Sequence, residues 1–141
     1  MKSEINKIVL TNGVFDVIHR KHIELLSFCK EQGDYLIVAI DSDRRVRETK
    51  GSTRPINSEM DRKFVLNSLK FVDEVLVFDT IQDLRQLHKG IRPNIYVKGG
   101  DWQESFLRET DGILPATKVI LFPYENSYSS TKTIERMRQS Q

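Results

Sequence analysis

Tyr35-Leu36-Ile37-Val38-Ala39-Ile40 is a nearly unbroken apolar run, closed by Asp41-Ser42-Asp43. A strand of this kind is apolar on both faces and needs cover on both, the condition of an interior strand in a parallel sheet. Shorter runs recur at Ile8-Val9-Leu10, Val75-Leu76-Val77-Phe78, Ile95-Tyr96-Val97 and Val119-Ile120-Leu121-Phe122. Helical patterns lie between them. From His22 to Glu31, Ile23, Leu26 and Cys29, with Leu25 and Phe28 beside them, form an apolar stripe, and Gly33 stands where that helix would end. Met60, Phe64, Val65 and Leu69 follow Pro55 at helical spacing, with Asn57 or Ser58 as the cap. Thr80-Ile81-Gln82-Asp83 has the spacing of a capping box and opens a helix to about Lys89, and Ser129 or Ser130 caps a last one to about Arg138. The alternation predicts an α/β fold, with one domain over residues 1–141 and a five-stranded parallel sheet carrying helices on both faces.

At 141 residues the chain can bury a core without disulfides. Its apolar stretches are far too short to span a membrane. The start, Met1-Lys2-Ser3-Glu4, has no apolar leader, and a lone Cys29 suits a reducing compartment, so a cytoplasmic location is expected. A net charge of +2 is too small for a dedicated nucleic-acid binder. The basic residues that do cluster, Arg44, Arg45, Arg47, Lys50 and Arg54, suit a small polyanion or a solvated helix face.

Ligands of such sheets bind beyond the C-terminal ends of the strands. The polar segments fall there: Thr11 to His22, Asp41 to Arg54, and Gly99 to Trp102. His19 and His22, at a loop-to-helix junction, can converge on one ligand and grip a triphosphate together with the free amides of the helix start. They also suit a helix cap. A shared metal ion is disfavoured, because there is no HExxH pattern and no nearby Cys or His set. In Val97-Lys98-Gly99-Gly100-Asp101-Trp102 the glycines admit close backbone approach, Asp101 can accept a hydrogen bond and Trp102 offers an aromatic face; a glycine turn beside a core tryptophan reads equally well. In Tyr128-Ser129-Ser130-Thr131-Lys132, hydroxyls at a helix start can cradle phosphate or serve as a simple cap.

Gly13-Val14-Phe15-Asp16 followed by His19 and His22 resembles the signature of the nucleotidylyltransferase superfamily. That superfamily contains glycerol-3-phosphate cytidylyltransferase and the adenylyltransferase domain of ADP-heptose synthesis. The likeness continues through Asp41-Ser42-Asp43, Lys50-Gly51 with Arg54-Pro55-Ile56-Asn57, Val97 to Trp102, and Ser129-Ser130-Thr131-Lys132. It implies a Rossmann-like domain transferring a nucleoside monophosphate from an NTP to a sugar or polyol phosphate, with Mg²⁺ accompanying the NTP. His19, His22 and Lys50 are implied as catalytic. Thr11, Asn12, Gly13, Phe15 and Asp41 are implied as nucleotide contacts, as are Lys98, Gly99, Asp101 and Trp102, and the hydroxyls of Ser129, Ser130 and Thr131. Lys21 and Arg62 are implied as further phosphate contacts, no resident metal is expected, and a homodimer is allowed. Tyr124-Glu125-Asn126-Ser127 departs from the Arg-Thr-Xaa-Gly of the glycerol-phosphate enzymes, so ATP is the first expectation and CTP the second. Lys21 stands where the superfamily has glycine; it would either crowd the phosphates, leaving a catalytically impaired nucleotide-binding module, or supply a compensating cation.

Overall fold

A computed structural model describes residues 6–123 together with Ile134 and Met137. Five parallel strands run in the order β3-β2-β1-β4-β5: β1 Ile8–Gly13, β2 Tyr35–Asp41, β3 Glu74–Phe78, β4 Ile95–Gly99 and β5 Lys118–Phe122. Chain order reverses between β1 and β4, which makes the crevice between their C-terminal ends the switch point where such sheets take ligands. Along the chain lie α1 Arg20–Glu31, α2 Asp43–Lys50, α3 Glu59–Asn67, α4 Ile81–Ile91 and α5 Glu104–Thr110.

Side chains alternate along each strand, so the sheet supports two cores. Val9, Leu36, Val38, Ile40 and Val97 pack against Leu25, Leu26 and Cys29 of α1 and Leu66 of α3. Leu10, Ile37, Ala39 and Tyr96 pack against Leu84 of α4 and Leu107 of α5 on the other face. Helices thus cover both faces, as the apolar β2 run requires. Each fully buried leucine in these layers contributes about 1.5–3 kcal/mol of transfer free energy. Burial pushes the Cys29 thiol up to about 12, so it acts as a small core side chain and not as a nucleophile.

Helix starts follow local chemistry. Ser58 caps α3 by accepting from the Asp61 N–H, and Thr80 and Asp83 form a reciprocal capping box on α4. α1 begins at Arg20 and ends at Glu31 with Gln32 as its C-cap, one residue before the glycine expected to stop it. Two helices, α2 and α5, occupy segments that carry no apolar period. Of the helix expected after Ser129 or Ser130, Ile134 and Met137 alone are among the described residues, both in helical backbone, and no described helix is long and apolar enough to cross a membrane.

His88 of α4 is fully buried, edge-on to Tyr96 with ring centroids 4.7 Å apart, and neither ring nitrogen has a hydrogen-bond partner. Burial, reinforced by Lys98 and opposed by Asp111, lowers its pKa to about 4. The unfolded chain therefore binds a proton at this site below about pH 6.5 that the folded chain refuses until about pH 4. Stability conferred by neutral His88 is complete above that window and falls as pH drops through it, by about 3 kcal/mol at the acid end. Urea denaturation at stepped pH should show this loss, and His88→Leu should flatten the part of the slope that His22 does not supply.

Candidate active site

His19 is the N-cap of α1, with extended backbone, and its Nδ1 accepts from the Lys21 N–H at 3.2 Å. His22 returns the bond: its Nδ1 accepts from the His19 N–H at 3.1 Å. This is a capping box built from two imidazoles, so the helix-cap reading and the ligand reading of the pair hold together. A neutral imidazole whose Nδ1 accepts carries its proton on Nε2. The rings stack at 4.0 Å between centroids with 29° between planes, and His22 leans on Phe15 at 5.3 Å. Burial first, then the charge of His19, lowers His22 to about 4, and burial lowers His19 as well. Near neutral pH the pair therefore carries its protons on Nε2 and has no net charge.

Both rings line a cleft of about 630 Å³ at the switch point. Asn12, Gly13 and Phe15 form the β1 wall, Asp41, Arg45, Lys50 and Arg54 the second, and Lys98, Gly99, Trp102 and Phe106 the third. Gly13 has to be small: a Cβ there would lie 2.9 Å from the Phe15 ring, which folds back over it through a positive φ of 52°. Gly100 sits at φ 113° beneath the Trp102 indole, whose Nε1–H donates to the Gly99 carbonyl at 3.1 Å. The Lys98 ammonium lies 5.3 Å from the centre of that ring and donates to Asn12 Oδ1 at 3.1 Å. Burial lowers its pKa, while Asp111 and Asp41 act against that. Trp102 and Phe106 stack nearly parallel at 6.0 Å along the rim.

Asp16 fastens the loop that closes the second wall. Its carboxylate accepts from the Ile56 N–H at 2.7 Å and the Asn57 N–H at 2.8 Å, and its Oδ2 lies 3.5 Å from Arg54 Nε. The Asn57 side chain returns a bond to the Asp16 carbonyl at 2.8 Å. Arg45 pairs with Asp41 at 2.9 Å and lies over the Phe78 ring.

The cleft thus brings together His19, His22, Lys50, Asn12, Gly13, Phe15, Asp41, Lys98, Gly99 and Trp102. It does not bring in the rest. Thr11 is fully buried beneath it, and Asp101 is exposed outside its lining. Lys21 is in helical backbone with its ammonium 3.0 Å from Glu24 Oε1. Arg62 has no exposed side-chain surface. Its guanidinium donates to the carbonyls of Asn57, Val14 and Asp41 and to Asp43 Oδ1, at 2.7–3.1 Å. In this structure Arg62 joins loops from behind the site and is not in the lining of the cleft. Ser129, Ser130 and Thr131 lie outside the described residues. Sequence reasoning did not select Arg45, Arg54, Phe106 or Asp111 for the site. The basic cluster was the one available signal for the two arginines; Phe106 and Asp111 gave none.

No group of three or more His, Cys, Asp or Glu side chains suited to a metal occurs among the described residues. The cleft carboxylates already have partners, Asp41 in Arg45 and Asp111 in Tyr96.

Residues 10–136 match the cytidylyltransferase-like family model. The chain is 39% identical over 138 residues to the bifunctional protein HldE of Campylobacter jejuni subsp. doylei, aligning 98% of itself with 29% of that protein. It is 42% identical over 132 residues to HldE of Nitratiruptor, aligning 94% of itself with 28% of that protein. The chain therefore spans less than a third of the length of these relatives. Among solved structures, a lipopolysaccharide core biosynthesis protein from Thermoplasma volcanium superposes with a TM-score of 0.72 at 27% identity, over 85% of this chain and 98% of that one. A pantoate-beta-alanine ligase from Francisella tularensis, at 19% identity and TM-score 0.60 over 88% and 62% of the two chains, shares the fold. With the match running from β1 past β5 and the paired histidines at the switch point inside it, the chain belongs to the cytidylyltransferase-like family of nucleotidyltransferases.

Proposed function

We propose that the domain transfers a nucleoside monophosphate from an NTP, ATP before CTP, to a sugar or polyol phosphate such as heptose 1-phosphate or glycerol 3-phosphate. The observation that carries this reading is the reciprocal His19–His22 cap, which fixes two neutral imidazoles in the lining of a cleft that also holds Lys50, Arg54 and Lys98. An oxygen of the acceptor phosphate attacks the α-phosphorus, and the bond from that phosphorus to the bridging oxygen breaks. Pyrophosphate leaves with the electron pair, and the protein forms no covalent bond. Negative charge gathers on the leaving group, where fixed donors in a partly dehydrated cleft stabilise it most. Mg²⁺ would arrive with the NTP, held by phosphate oxygens and water, and neutralise phosphate charge. The likeness of Lys50-Gly51 and Arg54-Pro55-Ile56-Asn57 to the adenylyltransferase domain of ADP-heptose synthesis supports the sugar-phosphate acceptor, and substrates of this kind suit a cytoplasmic reaction between soluble phosphates.

The test is pyrophosphate release with Mg²⁺, pairing ATP and CTP each with heptose 1-phosphate and glycerol 3-phosphate. Release that depends on the acceptor supports the reading and identifies base and acceptor together. Release without any acceptor requirement, or none with any pair, counts against it.

Lys21 bears on this directly. Its helical backbone needs no glycine, and Glu24 holds its ammonium along α1. Lys21→Gly is expected to change kcat by less than about threefold and to cost up to about 1 kcal/mol of helix stability. A sharp rise in kcat would mean that the lysine obstructs the phosphates.

A further inference from the structure

We propose that Asp111 is a positioning residue for this reaction: its buried carboxylate, tied to Tyr96, holds the Lys98 ammonium against Asn12 on the floor of the cleft, where the phosphates would meet it. Nothing in the sequence marks Asp111, which follows a short helix in a charged stretch. In the fold it is 6% exposed. Gly112 follows at φ 72°, so close to Arg85 that a Cβ would lie 2.6 Å from Arg85 Cγ. Arg85 Nε donates to the Thr110 carbonyl at 3.0 Å. The turn is pinned from both sides.

The carboxylate faces inward. Asp111 Oδ2 accepts from the Tyr96 hydroxyl at 2.8 Å and lies 3.9 Å from Lys98 Nζ. The same Tyr96 hydroxyl oxygen lies within hydrogen-bond reach of Asn12 Oδ1, which accepts from Lys98, and its single proton serves one of the two acceptors at a time. Four side chains from β1, β4 and the end of α5 thus form one closed set, with Tyr96 fully buried at its centre.

Lys98 needs such a partner, because burial works against its charge. The charged groups around it are Asp111 after α5, Asp41 at the end of β2, and Arg45 on α2, with His88 of α4 behind Tyr96. Asp41 is already paired with Arg45 at 2.9 Å, whereas the described ion pairs of Asp111 contain no cation but Lys98. Asp111 is therefore the carboxylate on which the charge and place of Lys98 chiefly depend.

That Lys98 meets phosphate rests on the nucleotidyl-transfer reading; its dependence on Asp111 does not, and the two are tested apart. The first measurement is the titration midpoint of Lys98, followed by ¹³Cε NMR of lysine-labelled domain without nucleotide. Asp111→Asn should lower the midpoint by at least about one pH unit. Asp111→Glu should bring it back toward wild type, and Tyr96→Phe, which keeps the carboxylate, should leave it within about half a unit. An unchanged midpoint in Asp111→Asn overturns the proposal, as does an equal fall in Tyr96→Phe. Should Asp111→Asn prove too unstable to titrate, adding Lys98→Met should restore folding, because the unpaired buried cation is then gone; failure to restore it also overturns the proposal. In turnover assays the basic limb of kcat/KM in Asp111→Asn should move acidward by the same interval. A uniform loss at every pH would reduce Asp111 to a structural role. A shifted Lys98 midpoint in a protein with no transferase activity would leave the coupling standing and refute the functional reading.

Discussion

Alanine at position 22 is expected to cut kcat and kcat/KM together by about 10²–10³-fold, with KM for the NTP little changed. The equal loss follows from what His22 supplies. Its Nδ1 is committed to the His19 N–H, so its contribution to the cleft is the Nε2–H, a donor fixed in direction before any ligand arrives. Such a donor matters most where charge develops, on the departing pyrophosphate, and less to the ground-state triphosphate. Loss of its share of the α1 cap costs only about 1 kcal/mol, so the variant should remain folded. Steady-state pyrophosphate release, with circular dichroism as the folding control, reads both. A variant that raised KM alone would reassign His22 to substrate binding.

Arg62→Met is expected to lower the unfolding free energy by about 3–5 kcal/mol, the scale for leaving several buried acceptors without their donor. The substitution strands the Val14 and Asp41 carbonyls and leaves the Asp43 carboxylate without its guanidinium. Domains of this size have only about 5–15 kcal/mol in hand, so urea denaturation should show a variant near the limit of folding. Arg62→Lys should recover little, since one ammonium cannot span three loops. Lys63→Ala, on the half-exposed side of the same helix, should stay within about 0.5 kcal/mol. Were Arg62 a phosphate contact, the result would be reversed: a raised KM and an unchanged denaturation midpoint.

These residues also mark what could be read in advance. Helix α3 is marked by its Ser58 cap, but the apolar stripe expected to bury it is turned outward: Met60, Phe64 and Val65 are exposed, and Leu66 is its buried apolar residue beside Arg62. The five strands and helices α1 and α4 announce themselves by period or cap, because each packs apolar side chains against the sheet. Helix α2 does not. Val46 is its one buried residue, and it stands on the Ser42 cap and the Arg44–Glu48 pair, features that a charged loop shares. Helix α5 has no side-chain cap at Gln103 and buries only Leu107. In the site, the paired histidines and the glycine turns were legible because their spacing is local. Arg62, Asp111 and the burial of His88 were not, since each depends on which strand lies beside which. A motif can specify that an arginine occurs in a helix, but its neighbours belong to the tertiary fold.

The Asp16 carboxylate gives the cleft an uneven mechanical character. Residues 54–57 have no helix or strand of their own, yet two of their amides end on a carboxylate fixed at the exit of β1. The segment is in effect a buttress, as stiff as the sheet it leans on. Closing the cleft from the histidine side would mean breaking the two amide bonds to Asp16, a cost that the opposite bank of Trp102 and Phe106 does not carry.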